Sequence, residues 1–242
     1  MPQTDWRALA QGLTQSLGLR NPPLAITFTD RLPAGVERFE EPVPAPYPDG
    51  RTGRVPAGCV FWMKGMERTF ATAPEDHFNC SVGSVTHGLK TLGEVMGNED
   101  VKALLESGWV SPQEAMGLPF VPKRHAHVLY GPLAEAGMEP DVVLLLLNPF
   151  QAMVLHDAFP ETVFAGKPQC HIVPIAREQK KIAISTGCML SRVRTGMSPG
   201  ELTCTLPASR LAEIVKALQA RQKANAAVAN YASQDGQRFK RA

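Results

Sequence analysis

Five cysteines are the side chains of this 242-residue chain that are best suited to bind a metal or to act as nucleophiles. Two of them begin short segments that share the pattern Cys-x4-Val-x2-Gly, namely NCSVGSVTHG and GCMLSRVRTG. The cysteine is Cys80 in the first segment and Cys188 in the second. This repeat predicts that two halves of the protein each bring a cysteine to one place.

Each of these cysteines has a partner earlier in the chain. Cys59 precedes Cys80 by 21 residues, and Cys170 precedes Cys188 by 18 residues. An apolar segment that predicts a strand stands before each pair, PPLAITFTD in the first half and PDVVLLLLN in the second. The spacing predicts a duplication, with half-repeats at about 20–100 and 138–205.

The chemistry of these thiols depends on their redox state. The first residues, MPQTDWRALAQG, lack the basic and apolar pattern of a signal peptide, so we expect a cytoplasmic protein with reduced cysteines. Reduced cysteines serve as core residues, nucleophiles or ligands, and thiolates suit iron–sulfur clusters and zinc. Cysteines beside glycines fit a cluster, because glycine lets backbone amides approach the sulfurs. The chain has no C-x2-C motif, which would be stronger evidence.

Two arginines closely follow Cys188. We expect Arg192 and Arg194 to stabilise a thiolate or an anionic cluster at this cysteine. The same arrangement supports an alternative, in which Cys188 is an activated nucleophile or a redox thiol. Cys204 stands in the alternating segment ELTCTLP, away from any glycine turn, and we assign it to packing.

Four histidines are further candidates for a site. The segment HAH at 125–127 would place the imidazoles of His125 and His127 on one face of a strand, since side chains alternate along a strand. His87 and His171 lie near the proposed cysteine ligands, where each could replace a thiolate or donate a proton. A structural role is the alternative for all four.

The bulk composition limits the classes of partner. The formal net charge is +2 and no polybasic stretch occurs, so we expect no nucleic-acid partner and no membrane partner. The longest apolar run, Val142 to Leu147, is too short to span a bilayer. The chain contains no P-loop, H-E-x-x-H or G-x-G-x-x-G motif, so nucleotide and zincin chemistry have no support.

Helical and extended segments alternate along the chain, which predicts a mixed α/β (α+β) fold in one globular unit over residues 1–242. A first helix is predicted from a cap at Thr4 to Gly18, and another from Val60 to about Phe70. The segment 80–96 is predicted to be helical in part. Residues 31–56 hold six prolines and predict a long loop.

The second half continues this alternation. HAHVLYGPL, KKIAIST and ELTCTLP predict strands. Asn148 is the predicted cap of a helix that has Pro149 at its first position and ends before Pro160. Ser209 is the predicted cap of a long terminal helix, and the polar residues 231–242 predict a frayed tail.

Several of these segments resemble the domain of unknown function 169 family, a group of bacterial and archaeal proteins. The resemblance rests on LGLRNPPLAITF, PDVVLLLLNPFQAMVLHDAF, ISTGCMLSR and ELTCTLPASRLAEIVKAL, and it covers roughly residues 10–220. Family members carry cysteines where Cys59, Cys80, Cys170 and Cys188 stand here, which implies that these four share one role. Cys204 is outside that set, and the resemblance implies no substrate.

Together these observations predict that Cys59, Cys80, Cys170 and Cys188 bind an iron–sulfur cluster, such as [4Fe–4S], or another metal, with zinc as the alternative. The expected function is redox or cluster-dependent chemistry on a small molecule, and the expected partner is that small molecule or a redox protein. Two other hypotheses stay open. One is an enzyme that uses Cys188 as nucleophile or redox thiol, and the other is a metal-free module that binds a small ligand or regulates.

Overall fold

A seven-stranded mixed sheet forms the centre of the protein. The computed structural model describes residues 4–40, 58–77 and 80–236, and every structural statement below concerns these ranges. The strands are β1 (Leu24–Thr29), β2 (Phe70–Thr72), β3 (His127–Pro132), β4 (Val142–Leu147), β5 (Val163–Ala165), β6 (Ala183–Ser185) and β7 (Leu202–Pro207). They lie in the order β2-β3-β1-β4-β7-β6-β5. All neighbours pair antiparallel except β5 and β6, which are parallel.

Helices cover both faces of this sheet, which confirms the predicted mixed α/β fold class. Within the described ranges they are α1 (Trp6–Leu17), α2 (Cys59–Gly65), α3 (Ser81–Thr86), α4 (Leu92–Val95), α5 (Glu99–Glu106), α6 (Pro112–Met116), α7 (Pro149–Ala158), α8 (Ile172–Gln179), α9 (Met189–Thr195) and α10 (Leu211–Gly236). None of them is long and apolar enough to cross a membrane.

The two faces of the sheet bury separate hydrophobic cores. In β1, Ala25 belongs to the core beneath α1, α7 and α10, whereas Leu24 and Ile26 belong to the core beneath α2 and α8. This division follows from the alternation of side chains along a strand. The strand β4 is buried at all six positions because helices cover both of its faces, and its sequence is therefore a continuous apolar run.

Local signals determine several helix ends. The predicted cap Thr4 is wrong by one residue, because the Asp5 carboxylate accepts the hydrogen bond from the Ala8 N–H at 2.9 Å. Gly18 ends α1 with a φ of 63°, a left-handed value that glycine adopts without strain. The predicted cap of α7 is confirmed, since the side chains and backbone N–H groups of Asn148 and Gln151 bond reciprocally.

Two predicted boundaries are wrong. The helix predicted over 60–70 is α2, which ends at Gly65, because Phe70 pairs with Tyr130 as the first residue of β2. Ser209 lies inside a 3-10 helix, Ala208–Arg210, and α10 begins after it. Residues 231–236 of the predicted frayed tail continue α10, and the rest of that tail lies outside the described residues.

The predicted long loop over 31–56 also falls partly outside the described residues. Within 31–40 the backbone forms one isolated bridge, in which Arg38 lies parallel to Ala71 of β2. The Phe39 N–H donates to the Ala71 carbonyl at 2.8 Å, and the Ala71 N–H donates to the Glu37 carbonyl at 2.9 Å. The segment 37–39 therefore pairs parallel with β2, as β5 pairs parallel with β6.

The strand order is the same on both sides of the sheet centre. From the centre outwards it runs β1, β3, β2 and the segment 37–39 on one side, and β4, β7, β6 and β5 on the other. The register corresponds as well, since Leu24 lies opposite Pro132 and Val142 lies opposite Pro207. The two sides meet where β1 pairs antiparallel with β4.

The helix that begins with Cys59 packs tightly on the sheet through Gly65. A Cβ at this glycine would lie 2.6 Å from Leu24 Cδ1 and 2.7 Å from Tyr130 Cβ. Gly65→Ala should therefore lower the free energy of unfolding by about 1–3 kcal/mol through overpacking. The matched control is Gly93→Ala in α4, where a Cβ would meet nothing within 4 Å. Urea denaturation measures both variants, and an unchanged midpoint for Gly65→Ala would contradict the packing.

Candidate metal centre

Each of the four cysteines lies at the start of a helical segment. Cys59 is the first residue of α2, and Cys80 and Cys188 are the N-caps of α3 and α9. Cys170 lies in the 3-10 helix Gln169–His171, which leads into α8. Cys59 is partly exposed and the other three are buried. Four separate connections of the fold therefore supply one thiol each.

The two copies of the repeated pattern have matching local geometry. The Cys80 sulfur accepts the Gly83 N–H at 3.4 Å, and the Cys188 sulfur accepts the Ser191 N–H at 3.4 Å. Both bonds join a capping cysteine to the backbone three residues later. Each sulfur therefore already receives one backbone donor, as the thiolates of a metal centre commonly do.

Glycines set the backbone on both sides of these helices. Gly58 and Gly187 directly precede Cys59 and Cys188, with φ values of 58° and 88°. Gly88 and Gly196 follow α3 and α9, with φ values of 66° and 64°. A side chain at any of these positions would strain the backbone, so the glycines fix where the neighbouring cysteines lie.

The thiols act on one another electrostatically. Burial raises the pKa of Cys59 to about 12, and the proximity of Cys80 and of Cys188 adds to the shift. Burial likewise raises the pKa of Cys170 well above its ordinary value, with further contributions from Cys80, Cys188 and Cys59. The packing gives the same grouping, because Cys80 and Cys170 lie in one core, Cys59 packs against it, and α9, which Cys188 caps, lies against α2. We refer to the region of these four thiols as the four-thiol neighbourhood.

The helix α9 contributes two polar side chains to thiols of the first half. The Ser191 hydroxyl lies near Cys59 and opposes the rise of its pKa, and it accepts the Gln169 Nε2–H at 2.5 Å. Burial raises the pKa of Cys80, whereas the charge and the hydrogen bond of the Arg194 guanidinium oppose that rise.

The first half provides the reverse contact. The Thr86 hydroxyl in α3 lies near Cys170 of the second half and opposes the rise of its pKa, while it donates a hydrogen bond to the Gly83 carbonyl at 3.1 Å. The packing follows the same exchange, because α2 lies against α9 and α3 lies against the 3-10 helix that holds Cys170. Each half of the chain therefore supplies polar side chains near thiols of the other half.

The expected role of Arg192 at Cys188 is wrong. Its guanidinium donates to three backbone carbonyls, those of Ser198 and Thr186 at 2.6 Å and that of Glu201 at 3.0 Å. Arg192 thus fixes the connection between α9 and β7. The second arginine, Arg194, acts on Cys80 and Cys59 instead.

Cys204 lies apart from the other cysteines. It is fully buried in the core beneath α1, α7 and α10, whereas Cys80 and Cys170 belong to the core on the opposite face. In the described part of the chain, no group of three or more His, Cys, Asp or Glu side chains is arranged to hold a metal ion. The four thiols share a neighbourhood without meeting at a single point.

His87 is a buried imidazole beside this neighbourhood. Its Nδ1 lies 2.9 Å from the Gly83 carbonyl oxygen, and this nitrogen carries the proton because a carbonyl can only accept. Burial lowers the pKa of His87 to about 4, so Nε2 is an unprotonated acceptor at neutral pH. Within the described residues Nε2 is buried without a hydrogen-bond partner. In α9 the corresponding bond runs from the Thr195 hydroxyl to the Ser191 carbonyl.

The other histidines have different surroundings. The strand β3 begins at His127, so the predicted strand contains only one of the two imidazoles of HAH. His125 instead lies 3.2 Å from Arg177 Nη2 and 3.4 Å from Asp30 Oδ1. His171 follows Cys170 directly, and burial lowers its pKa. A further buried imidazole, that of His77, has no signal in the sequence, and its ring centroid lies 5.9 Å from that of His87.

The comparisons with known proteins agree with the predicted family. The model of DUF169, described as "Uncharacterised ArCR", matches residues 12–217. The chain belongs to the DUF169 family. The matched region contains all five cysteines and every strand, so the four-thiol neighbourhood lies entirely within the DUF169 unit. Neither the search of curated proteins nor that of solved structures found a match.

The raised pKa of Cys59 has a direct chemical consequence in metal-free protein. Only the thiolate is nucleophilic, and a pKa of about 12 leaves roughly 1,000-fold less thiolate at pH 8 than the ordinary value of 9.0. Iodoacetamide at pH 8 should therefore label Cys59 far more slowly than it labels the same residue in urea-unfolded protein. Mass spectrometry of the labelled peptides measures this ratio, and equal rates would refute the burial and coupling of this thiol.

Proposed function

We propose that the protein binds an iron–sulfur cluster through Cys59, Cys80, Cys170 and Cys188. The observation that carries this proposal is the packing of four separate connections that each hold one thiol: Cys80 and Cys170 lie in one core with Cys59 packed against it, and α2 lies against α9, which Cys188 caps. Packing alone gives no reason to gather four thiols around each other while the fifth, Cys204, lies on the opposite face of the sheet.

We infer further that the site lies between two related halves. The strand order, the bonds at Cys80 and Cys188, and the exchange of polar contacts all repeat from one half to the other. The first repeat extends beyond the predicted 20–100, because β3 at 127–132 corresponds to β7. Each half would then give two ligands, Cys59 with Cys80 and Cys170 with Cys188.

The surroundings suit a cluster of several irons. In a [4Fe–4S] cluster each thiolate binds a different iron, so the sulfurs surround the cluster without sharing one point. A single zinc ion, the alternative, needs all four sulfurs at about 2.3 Å from one centre. A cluster with four thiolates is also anionic, and the Gly83 and Ser191 amides and the Arg194 guanidinium supply donors and positive charge beside it.

Loading the site must release protons. Burial holds the pKa values of Cys59, Cys80 and Cys170 above the ordinary value, and neighbouring thiols add to the rise for Cys59 and Cys170, so these three groups are protonated in metal-free protein at neutral pH. Metal binding replaces those protons, and its strength therefore rises with pH. The reduced thiols that this requires fit a cytoplasmic protein.

The chemistry of a bound cluster is electron transfer or reaction at an open iron. A cluster with four cysteine ligands transfers electrons to a small molecule or a redox protein. The neutral imidazole of His87, with its buried Nε2 acceptor, lies one residue from Thr86, whose hydroxyl is near Cys170. This histidine has no imidazole counterpart in the second half, so it is the group that would make the two sides of the site unequal.

Cluster content tests this proposal directly. Protein purified without oxygen, or reconstituted with iron and sulfide, should contain about four irons and about four sulfides per chain. Cys59→Ala and Cys170→Ala occupy corresponding positions and should each remove most of the cluster. Cys204→Ala is the matched control and should retain the full content, because this thiol lies in the other core.

Two results would contradict the proposal. Absence of sulfide with one zinc per chain would indicate the mononuclear alternative. An equal loss of iron in Cys204→Ala and in Cys59→Ala would show that the loss reflects general destabilisation rather than ligation.

The arginine in α9 should set the redox potential of the cluster. Arg194 places positive charge and a hydrogen bond near Cys80, and both stabilise the more negative, reduced state. Arg194→Gln should therefore lower the reduction potential, as measured by titration with dithionite. Arg192→Gln is the control, because Arg192 bonds only backbone carbonyls in the described structure. A potential that falls equally in both variants would contradict the assignment.

A further inference from the structure

One connection differs greatly between the two halves. In the second half residues 196–201 join α9 to β7, whereas in the first half residues 87–126 join α3 to β3. The longer connection contains α4, α5 and α6, which have no counterpart in the second half. Because only one of the two corresponding connections contains these helices, the fold that the halves share does not require them.

The inserted segment closes a cavity against α3. The cavity has a volume of about 280 Å³, and its lining includes Val85 and Gly88 from the α3 end and Leu118 and Phe120 from the insertion. A Cβ at Gly88 would lie 2.0 Å from the Val121 carbonyl oxygen, so the absence of a side chain lets the insertion approach α3. The close packing of the insertion against α3 at Gly88 therefore forms one wall of the cavity.

The walls of this cavity are mainly apolar. Met116 and Phe120 line it and are 70% and 54% exposed. A smaller apolar void adjoins it and shares Val85, Leu92 and Leu118. The hydrocarbon part of a ligand in the cavity would cover apolar side chains that otherwise face water.

The charged groups of the lining are both cationic. Lys90 and Arg124 line the cavity, and the lining contains no acidic side chain among the described residues. Arg124 does contact Glu94, but at 3.5 Å and with both side chains about half exposed. Such an exposed pair contributes little, and the Glu94 carboxylate is also held by the Thr91 N–H and hydroxyl. An anion could therefore replace the Glu94 carboxylate at the Arg124 guanidinium with little loss of free energy.

We propose that this cavity binds a small carboxylic acid with an aliphatic body. The carboxylate would lie between Lys90 and Arg124, and the hydrocarbon would lie against Leu92, Leu118 and Phe120. The charges and the shape of the insertion favour this ligand whether or not a metal is bound at the cysteines. Because the cavity includes the end of α3, whose other end is Cys80, bound acid and the thiol neighbourhood share one helix.

Calorimetric titration of the full chain with octanoate tests this site. Octanoate should bind, and 1-octanol, which has the same hydrocarbon without the charge, should bind at least about tenfold more weakly. The double variant Lys90→Gln, Arg124→Gln should weaken octanoate binding at least about tenfold and leave 1-octanol binding unchanged. Lys102→Gln, at an exposed position of α5 outside the cavity lining, is the charge-matched control and should bind as the parent does.

A second variant tests the apolar walls independently of charge. Leu118→Trp would place a larger side chain in the cavity and should weaken both octanoate and 1-octanol. Circular dichroism establishes that each variant is folded. The proposal is overturned if octanoate does not bind, if octanoate and 1-octanol bind equally, or if the double variant binds octanoate as tightly as the parent.

Discussion

The antiparallel pairing of β1 with β4 is the contact on which the rest of the structure depends. Ala25 lies opposite Val143 in this pairing, and the strand order repeats outwards from it on both sides. Two equivalent half-sheets joined in this way place their corresponding connections on the same face. The connections that hold Cys59 and Cys80 therefore meet those that hold Cys170 and Cys188.

The sequence predicts well the features that neighbouring residues determine. Asn148 and Pro149 specify the start of α7, and Gly18 specifies the end of α1, because capping depends on groups within one helical turn. The four cysteines were named from their spacing to glycine and from the family resemblance. That these four thiols bind one metal or cluster stays a prediction.

Features that depend on distant residues could not be predicted in this way. The three-residue strands β2 and β5 exist only through pairing with β3 and β6, and nothing in their own sequence distinguishes them. Thr86 and Ser191 look like ordinary helical residues in the sequence, because the thiol near each hydroxyl belongs to the other half of the chain. The proximity of Arg192 to Cys188 in sequence was misleading for the same reason, since its side chain binds carbonyls of the following connection instead.

The central claim is that four thiols from two related halves surround one cluster. An anomalous-difference map at the iron edge, from crystals of protein purified without oxygen, tests it most directly. The account predicts iron density bounded by Cys59, Cys80, Cys170 and Cys188, with each sulfur about 2.3 Å from a metal. Iron density elsewhere, or electron density for four protonated thiols packed only against carbon atoms in crystals of reconstituted protein, would contradict it.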